Sequence, residues 1–345
     1  MRHTTPGVLY LEPSDPRWEA MLEHPRATTF HHPAWLHLLR STYGYRVFIA
    51  AVSDGAGGVA AGLPIAEVSS VLTGKRWVAL PFSDHCCPLA EDEAALATLV
   101  DGLAAAYADG AIPRLMVRSH LSHEALQPES TCVLHTLPLA GDERAVWKGM
   151  HSMHRQNTRY AEKHGVQVFE RDDLPALRAF YRLQTLTRHR QGVPVQPWRF
   201  FARLGSLLEE GLGFVLLAVH DDDLCAAGVF LHWRQTLMFK YAASDPAQLG
   251  LRPNNLLYAQ AIHWSCEHGV RQIDLGKTEI DNEGLRTFKK RWGADETPLV
   301  YSRLGGRSSP EQPGARLSRV MQWTIRHAPS WVCRASGEIL YRHFA

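Results

Sequence analysis

This 345-residue chain has no long apolar run, few cysteines and a small net charge. No apolar run approaches the roughly 18 residues of a transmembrane helix, so none is expected. The start, MRHTTPGVLYLEP, lacks a basic segment followed by an apolar one, and we expect no secretory signal. Six cysteines do not make a disulfide framework in a chain of this length, and Cys225 and Cys266, which lie in apolar runs, are expected to be small buried hydrophobes. These absences favour a reduced, cytoplasmic protein.

The formal net charge of +2 excludes a polycationic arm that would bind nucleic acid by bulk charge. The charge is unevenly distributed, because residues 1–150 carry a net −5 and residues 301–345 a net +5. Apolar residues make up 45% of the chain and charged residues 21%, which excludes wholesale disorder. A local basic groove remains compatible with this composition.

Helical and strand periods alternate along the chain, and the order in the first half returns in the second. The first half predicts a helix over 30–44, a β-hairpin over 45–68 with its turn at Asp54–Gly58, a strand over 76–82, a helix over 91–110 and a strand over 112–119. The second half predicts helices over 146–166, 174–192, 197–211, 254–270 and 284–294, and strands over 166–171, 271–278 and 297–304, with three more within 214–246. An α+β unit therefore occurs twice.

This order predicts two α+β domains, residues 1–145 and 146–304, each a mixed, mostly antiparallel sheet flanked by helices. Residues 305–314, GGRSSPEQPG, are typical of a linker. The remainder of the tail to residue 345 predicts basic amphipathic helices that are broken at Pro329. The tail either packs on the second domain or contacts a membrane surface or RNA phosphates.

Four segments of the second half carry a resemblance to a known superfamily: HRQNTRYAEKHGV (154–166), FKYAASDP (239–246), RQIDLGKTEIDNEGL (271–285) and FKKRWG (288–293). In the first half, FHHPAWLHLLRSTYG and ALPFSDHCCPL fit the same pattern. Together, over roughly residues 28–304, they resemble the FemABX-like proteins, which consist of tandem N-acetyltransferase-fold (GNAT) domains. The chain is most similar to the short bacterial branch called FemAB-related or BioF2-like, which lacks a coiled-coil arm.

The resemblance implies acyl transfer to an amine acceptor. The resemblance implies aminoacyl-tRNA as the donor in the peptidoglycan branch and acyl-CoA in other relatives. We therefore expect no tightly bound cofactor, no metal and a co-substrate that carries phosphates, which cationic side chains would bind. Contact with the acceptor end of a tRNA is one expected interaction.

Lys289 is the first expected catalytic residue, since in the family the lysine of the Phe-Lys pair lies at the reaction centre. Phe288 is expected to pack inward while Lys289 faces a groove between the domains, with Lys290 and Arg291 as supporting phosphate contacts. The alternative is a solvated basic face.

Asp84, in the loop after strand 76–82, is the second expected catalytic residue. The resembling position in the family is acidic, and a carboxylate there could accept a proton or bind an ammonium group. The alternative is an Asx turn. The adjacent His85, Cys86 and Cys87 have poor metal-ligand spacing, and they favour neither a metal nor covalent catalysis.

Several other residues are expected to bind substrate. Tyr241 would offer a hydroxyl at a strand end, and Arg155 and Arg159, four residues apart on one helix, could clamp an anion. Asp274 could orient an amine. The alternatives are a half-buried strand tyrosine, a solvated helix face, and a carboxylate paired with Arg271 or Lys277.

The segment Gln248–Asn254 stands where GNAT proteins cradle the pyrophosphate of acyl-CoA. It has one glycine, and Pro253 removes a backbone donor, so the sequence argues against acyl-CoA, while Arg252 could still contact a phosphate. Asn254 is expected to be a cap. The leading hypothesis is an aminoacyl-tRNA-dependent aminoacyl or acyl transferase. The alternatives are an acyl-CoA-dependent N-acyltransferase, or a non-catalytic GNAT-fold module of an envelope, exopolysaccharide or natural-product pathway.

Overall fold

The chain forms two compact units in the structure, a computed structural model that describes residues 7–70, 74–139, 143–305 and 315–343. The first unit comprises Met1–Cys132, Pro298–Ser309 and Arg342–Ala345, and the second comprises Val133–Thr297 and Pro310–Tyr341. The linker predicted over 305–314 lies, apart from Gly305, outside the described residues. The ranges 1–145 and 146–304 for the two domains stay a prediction.

The chain enters the first unit through an alternation of strands and helices. These elements are β1 (Leu9–Leu11), α1 (Pro16–Met21), α2 (Pro33–Tyr43), β2 (Arg46–Ser53), β3 (Val59–Ser70), β4 (Gly74–Ala79), β5 (Leu89–Ala90), α3 (Glu93–Ala108), β6 (Leu115–Val117) and the start of β7 (Leu126–Pro138). A short 3-10 helix covers Thr29–His31.

The second unit contains most of the helices. Its elements are α4 (Glu143–Gly149), α5 (Ser152–Lys163), β8 (Gln167–Arg171), α6 (Leu174–Gln191), α7 (Trp198–Glu209), β9 (Gly213–His220), β10 (Asp223–Trp233), β11 (Thr236–Ser244), α8 (Pro253–Glu267), β12 (Gln272–Glu279), α9 (Glu283–Lys290), the start of β13 (Asp295–Leu304), α10 (Ala315–His327) and α11 (Ser330–Leu340). Short 3-10 helices cover Pro246–Leu251 and Tyr341–His343, the latter crossing into the first unit.

Each unit has a mixed, mostly antiparallel sheet, as predicted. The order in the first unit is β1-β2-β3-β4-β6-β13, in which only β4 and β6 of the described pairs run parallel. The order in the second unit is β7-β12-β11-β10-β9-β8, in which β11 and β12 run parallel. Helix α3 covers the first sheet and α8 covers one face of the second, and each helix buries its apolar side in the adjacent core.

The parallel pair β11–β12 is short, and this feature positions the site. Its described register runs only from Thr236–Met238 against Gln272–Asp274. Beyond it, β11 continues to Ser244 and β12 to Glu279, and β11 remains paired with β10 across a bulge at Val229 and Phe230. Beyond this register, the described backbone N–H and C=O groups on the facing edges of β11 and β12 do not pair with each other. Buried backbone groups need hydrogen-bond partners, so these groups need other ones.

Elements β1, α1 and β5 were not predicted, and two further differences bear on the site. The helix predicted over 146–166 is two helices, because His151 breaks it: its ring accepts a hydrogen bond from the Met153 amide (3.1 Å) and so caps α5. The 13-residue strand β7 was not predicted, since Pro128 and Pro138 weaken the strand signal.

The tail forms the two predicted helices, with Pro329 at the start of α11. Both pack on α6. Gly337 of α11 abuts the backbone of Val195, in the segment after α6, and the His189 ring of α6 lies 2.6 Å from the carbonyl of Ala328, between the two tail helices. Among the cysteines, Cys225 is buried as expected, whereas Cys266 is only partly buried. Within the described parts of the chain, no helix is long and apolar enough to cross a bilayer.

Candidate active site

Lys289 lies at the end of α9, where its side chain is 4% exposed. Its Nζ donates hydrogen bonds to the carbonyl oxygens of Gly276 (2.9 Å) and Lys277 (3.2 Å) on β12. A buried ammonium is costly unless such acceptors surround it. Phe288 packs against the core as expected, but Lys289 is the more buried of the two and points at the strand edge beyond the β11–β12 pairing.

The β12 segment opposite Lys289 is shaped by Asp274 and Gly276. Gly276 has φ 73°, a left-handed conformation that favours glycine, and its amide donates to Asp274 Oδ1 (2.7 Å). Asp274 is 4% exposed. This turn points the carbonyls of Gly276 and Lys277 at the Lys289 ammonium group. Asp274 therefore positions the backbone that Lys289 contacts and does not itself bind Lys289 in these hydrogen bonds.

A polar network that the sequence analysis missed lies beside Lys289. His135 on β7 is fully buried, with Nε2 3.1 Å from Glu296 Oε2 and Nδ1 3.5 Å from Thr278 Oγ1. Glu296 accepts two hydrogen bonds from Arg286 (2.9 and 2.8 Å). His135 lies on β7, a strand that the sequence did not predict, so no sequence signal indicated this residue.

The charges in this network shift two pKa values. The Arg286 guanidinium lowers the pKa of Glu296 to about 2, so this carboxylate is ionised. Burial lowers the pKa of His135, and the nearby positive charge of Lys289 adds to that effect. His135 is therefore neutral at pH 7.

His154 is a second residue that the sequence did not predict, and it connects α9 to α5 and α8. Its Nε2 lies 3.1 Å from the Phe288 carbonyl, and its Nδ1 lies 2.8 Å from the Asn255 amide nitrogen. Because an amide N–H donates to Nδ1, we assign the imidazole proton to Nε2. Burial lowers the pKa of His154, in agreement with this neutral form.

Two shallow depressions open beside α9, with volumes of about 490 and 340 Å³. Both are lined by Thr287 and Arg291; Glu283 lines the larger one, and Lys290 the smaller one. Lys290 and Arg291 are exposed, and Lys290 Nζ lies 3.9 Å from Glu296. The predicted cations thus line open space next to the buried Lys289.

Residues 148–290, which contain this site, match the family model described as an acetyltransferase (GNAT) domain. This part of the chain is a GNAT acyltransferase domain. About nine-tenths of the chain is also similar in fold to solved structures at low identity. FemX is 13% identical over 91% of this chain and 99% of that one, with a TM-score of 0.69. The tandem GNAT fold that the resemblance implied is confirmed.

Two further solved structures share the fold. The C-terminal domain of a putative lysylphosphatidylglycerol synthetase from Agrobacterium fabrum is 14% identical over 90% of this chain and 95% of that one, with a TM-score of 0.55. A tandem GNAT protein from the clavulanic acid biosynthesis pathway is 11% identical over 87% and 100%, with a TM-score of 0.51. A search of curated proteins finds no match.

Within the GNAT domain, Arg155 and Arg159 have different surroundings. Arg155 donates to the carbonyl oxygens of Trp147 (3.0 Å), Lys148 (3.5 Å) and Met150, and so satisfies the C-terminal end of α4. Arg159 is exposed on α5. The anion clamp stays a prediction, but only Arg159 is exposed enough to reach an anion without giving up backbone contacts.

The predicted binding residues Tyr241 and Arg252 lie elsewhere in the GNAT domain. Tyr241 is half-buried, with its ring among Phe180, Phe200 and Phe201. Arg252 is exposed, in a left-handed conformation (φ 60°), immediately before α8.

The predicted cap of α8 is wrong, because Arg252 takes the N-cap position and no side chain caps the helix. The Asn254 amide instead lies 3.5 Å from Ser244 Oγ. With Pro253 in the first turn, the N-terminus of α8 offers few backbone donors.

Asp84 belongs to the first unit, in a loop that backbone contacts hold in place. The Tyr301 hydroxyl donates to the Asp84 carbonyl (2.6 Å), and Arg118 donates to the Ser83 carbonyl (2.6 Å). The Asp84 side chain is half-buried. Its role as a proton acceptor stays a prediction.

Cys86 has a histidine neighbour in this loop, but the neighbour is His31 and not the adjacent His85. Cys86 Sγ lies 3.8 Å from His31 Nε2, and both side chains are fully buried. Burial raises the pKa of the Cys86 thiol and lowers the pKa of His31 to about 4, so neither group is charged at pH 7. The pair lacks the thiolate that a nucleophile needs. In the described residues, no group of three or more His, Cys, Asp or Glu could hold a metal.

Proposed function

We propose that this GNAT-type acyltransferase transfers an aminoacyl group from aminoacyl-tRNA to an amine acceptor and forms an amide bond. The observation that carries the proposal is the ammonium group of Lys289, held by two carbonyls of β12 at the strand edge beyond the β11–β12 pairing. A positive charge in a buried, fixed position can stabilise an oxyanion without reorganising during the reaction.

The reaction needs little beyond positioning and charge. The neutral amine nitrogen attacks the ester carbonyl of the donor, the carbon–oxygen bond to the ribose breaks, and the amine proton ends on the leaving oxygen. Lys289 would stabilise the intermediate oxyanion. Neutral His135, linked to Glu296 and Thr278, would hold the electrostatic surroundings of Lys289 constant, and Asp84 is proposed to carry the proton.

Two features favour a tRNA donor over acyl-CoA. Pro253 lies in the first turn of α8 and has no backbone N–H, and the side chain of the N-cap residue Arg252 makes no capping hydrogen bond. The start of this helix is therefore poorly suited to bind a pyrophosphate. Lys290, Arg291 and Arg159 instead expose cations along α9 and α5, where a nucleic acid backbone could bind. The name of the Agrobacterium neighbour, which refers to lysyl attachment, supports an aminoacyl group.

An acyl-CoA-dependent N-acyltransferase is the second candidate. It is favoured by the tandem GNAT neighbour from clavulanic acid biosynthesis, whose description refers to acetyl-CoA. In that case Lys289 would keep its role, and the phosphates of the donor would contact Arg252 at the start of α8. A cytoplasmic location is part of both proposals.

The test is a transfer assay with the purified protein, a panel of aminoacyl-tRNAs and acyl-CoAs, and a panel of amines. We expect aminoacyl transfer that Lys289→Met reduces by about 10²- to 10³-fold, the usual effect of removing one oxyanion donor. Lys163→Ala, which changes an exposed lysine on α5, is the matched control and should keep full activity.

A melting curve of each variant separates misfolding from lost catalysis. Transfer from acyl-CoA alone would select the second candidate. Full activity of a folded Lys289→Met protein would exclude the proposed role of Lys289, and a folded wild type that transfers from neither donor would exclude both proposals.

A further inference from the structure

The tail helices α10 and α11 carry the most exposed large apolar side chains of the described chain. Ile339 is 66% exposed, Trp323 64% and Trp331 60%, whereas outside the tail the highest value is 47%, at Phe169. Burying such side chains stabilises a fold or a complex, so an exposed group of three indicates a surface that is covered in use.

The helix geometry places these side chains opposite the faces that pack on α6. Among the described side chains, Ile325 is buried in α10, and in α11 Cys333 and Gly337 are buried against Val193 and Val195, in the segment that follows α6. Trp323 and Trp331 each lie two positions before an inward residue, and Ile339 lies two positions after one. Two positions correspond to about 200° around a helix, so all three project away from α6.

The charge of the tail selects the partner. Residues 315–341 contain four arginines and one acid, Glu338. Arg334 is exposed, and Arg326, also exposed, donates a hydrogen bond to the Gln191 carbonyl (3.1 Å). Trp323 stacks on His327 at a centroid distance of 4.7 Å. Exposed tryptophans among cations are typical of segments that lie at the surface of an anionic bilayer, where indole rings sit at the headgroup level and arginines meet lipid phosphates.

Two other partners fit less well. A symmetric dimer through this face would bring arginines against arginines, which costs free energy. RNA phosphates would pair with the arginines but would leave Ile339 in water, since phosphate binding gains nothing from an aliphatic side chain. We propose that the outward face of α10 and α11, formed by Trp323, Trp331 and Ile339, binds peripherally to membranes that contain anionic phospholipid.

The test is flotation of the full-length protein with vesicles of phosphatidylcholine, with and without phosphatidylglycerol. We expect binding to the anionic vesicles, and a partition coefficient that falls more than about tenfold in the Trp323→Ala/Trp331→Ala double variant. Phe169→Ala, which truncates the most exposed large apolar side chain outside the tail, should bind like the wild type. Arg334→Gln should weaken binding to anionic vesicles more than to neutral ones.

Since the two tryptophans are exposed, the double variant should keep the melting temperature of the wild type and its transfer activity on a water-soluble amine. Failure of the wild type to bind anionic vesicles would overturn the proposal, and so would equal binding by the double variant. It would likewise be overturned if the double substitution abolished a dimer or RNA binding while vesicle binding was unchanged.

Discussion

The imidazole of His154 stacks on the indole of Trp292, with ring centroids 4.5 Å apart and ring planes 11° apart. His154 comes from α5, and Trp292 lies just after α9, two residues beyond its last residue. The same imidazole lies 3.1 Å from the carbonyl of Phe288, the residue before Lys289. The position of Lys289 against β12 therefore depends on a side chain from another helix.

Replacement of His154 by alanine should loosen α9. The variant loses the stacking and the hydrogen bond to Phe288, and it leaves the Asn255 amide without this acceptor, so we expect a loss of about 2–4 kcal/mol in the free energy of unfolding. Chemical denaturation measures this loss. Transfer activity should fall while Lys289 is still present. His164→Ala, which truncates an exposed histidine after α5, is the control, and an equal loss there would contradict the assignment.

The buried His31 should make the protein less stable in acid. Burial lowers its pKa from 6.5 to about 4, so between these values the unfolded chain binds a proton that the folded chain does not. Stability is therefore full above pH 6.5 and falls as the pH decreases toward 4, by about 3 kcal/mol from this residue. Denaturation curves across this range should show a shallower pH dependence for His31→Gln than for the wild type. An unchanged slope would mean that other groups cause it.

Glu296 should control the protonation of His135. Its carboxylate lies 3.1 Å from His135 Nε2 and favours the charged imidazole, whereas burial and Lys289 oppose it. In Glu296→Gln we expect the His135 pKa to fall further and the pH profile of transfer to change. Nuclear magnetic resonance titration of the histidine signals measures this pKa. Glu267→Gln, which changes an exposed acid on α8, should leave it unchanged.

Arg155 and Arg159 should give opposite results in a pair of assays. Arg155→Met removes the donor to the last carbonyls of α4, and we expect a loss of about 1–3 kcal/mol in stability. Arg159→Ala removes an exposed charge and should leave the melting temperature unchanged. If an anion binds here, only Arg159→Ala lowers affinity for the donor at unaltered stability. A donor affinity that Arg159→Ala does not change would remove Arg159 from the predicted clamp.

The sequence by itself determined the element types and the repeated α+β order. The turn at Asp54–Gly58 was predicted correctly because it depends on neighbours in the chain: Asp54 accepts hydrogen bonds from the Ala56 and Gly58 amides (2.7 and 2.8 Å). The Phe-Lys pair at 288–289 was found from its motif. Such local signals need no knowledge of distant contacts.

Only the tertiary structure decided the burial and the hydrogen-bond partners of the site residues. Lys289 is buried because β12 turns two carbonyls toward it, and Arg155 is engaged because α4 ends beside it. His135 meets Glu296 across 161 positions of sequence, and His154 meets Phe288 across 134. No local pattern marks these partners, since what joins them is the pairing of strands and the packing of helices distant in the chain.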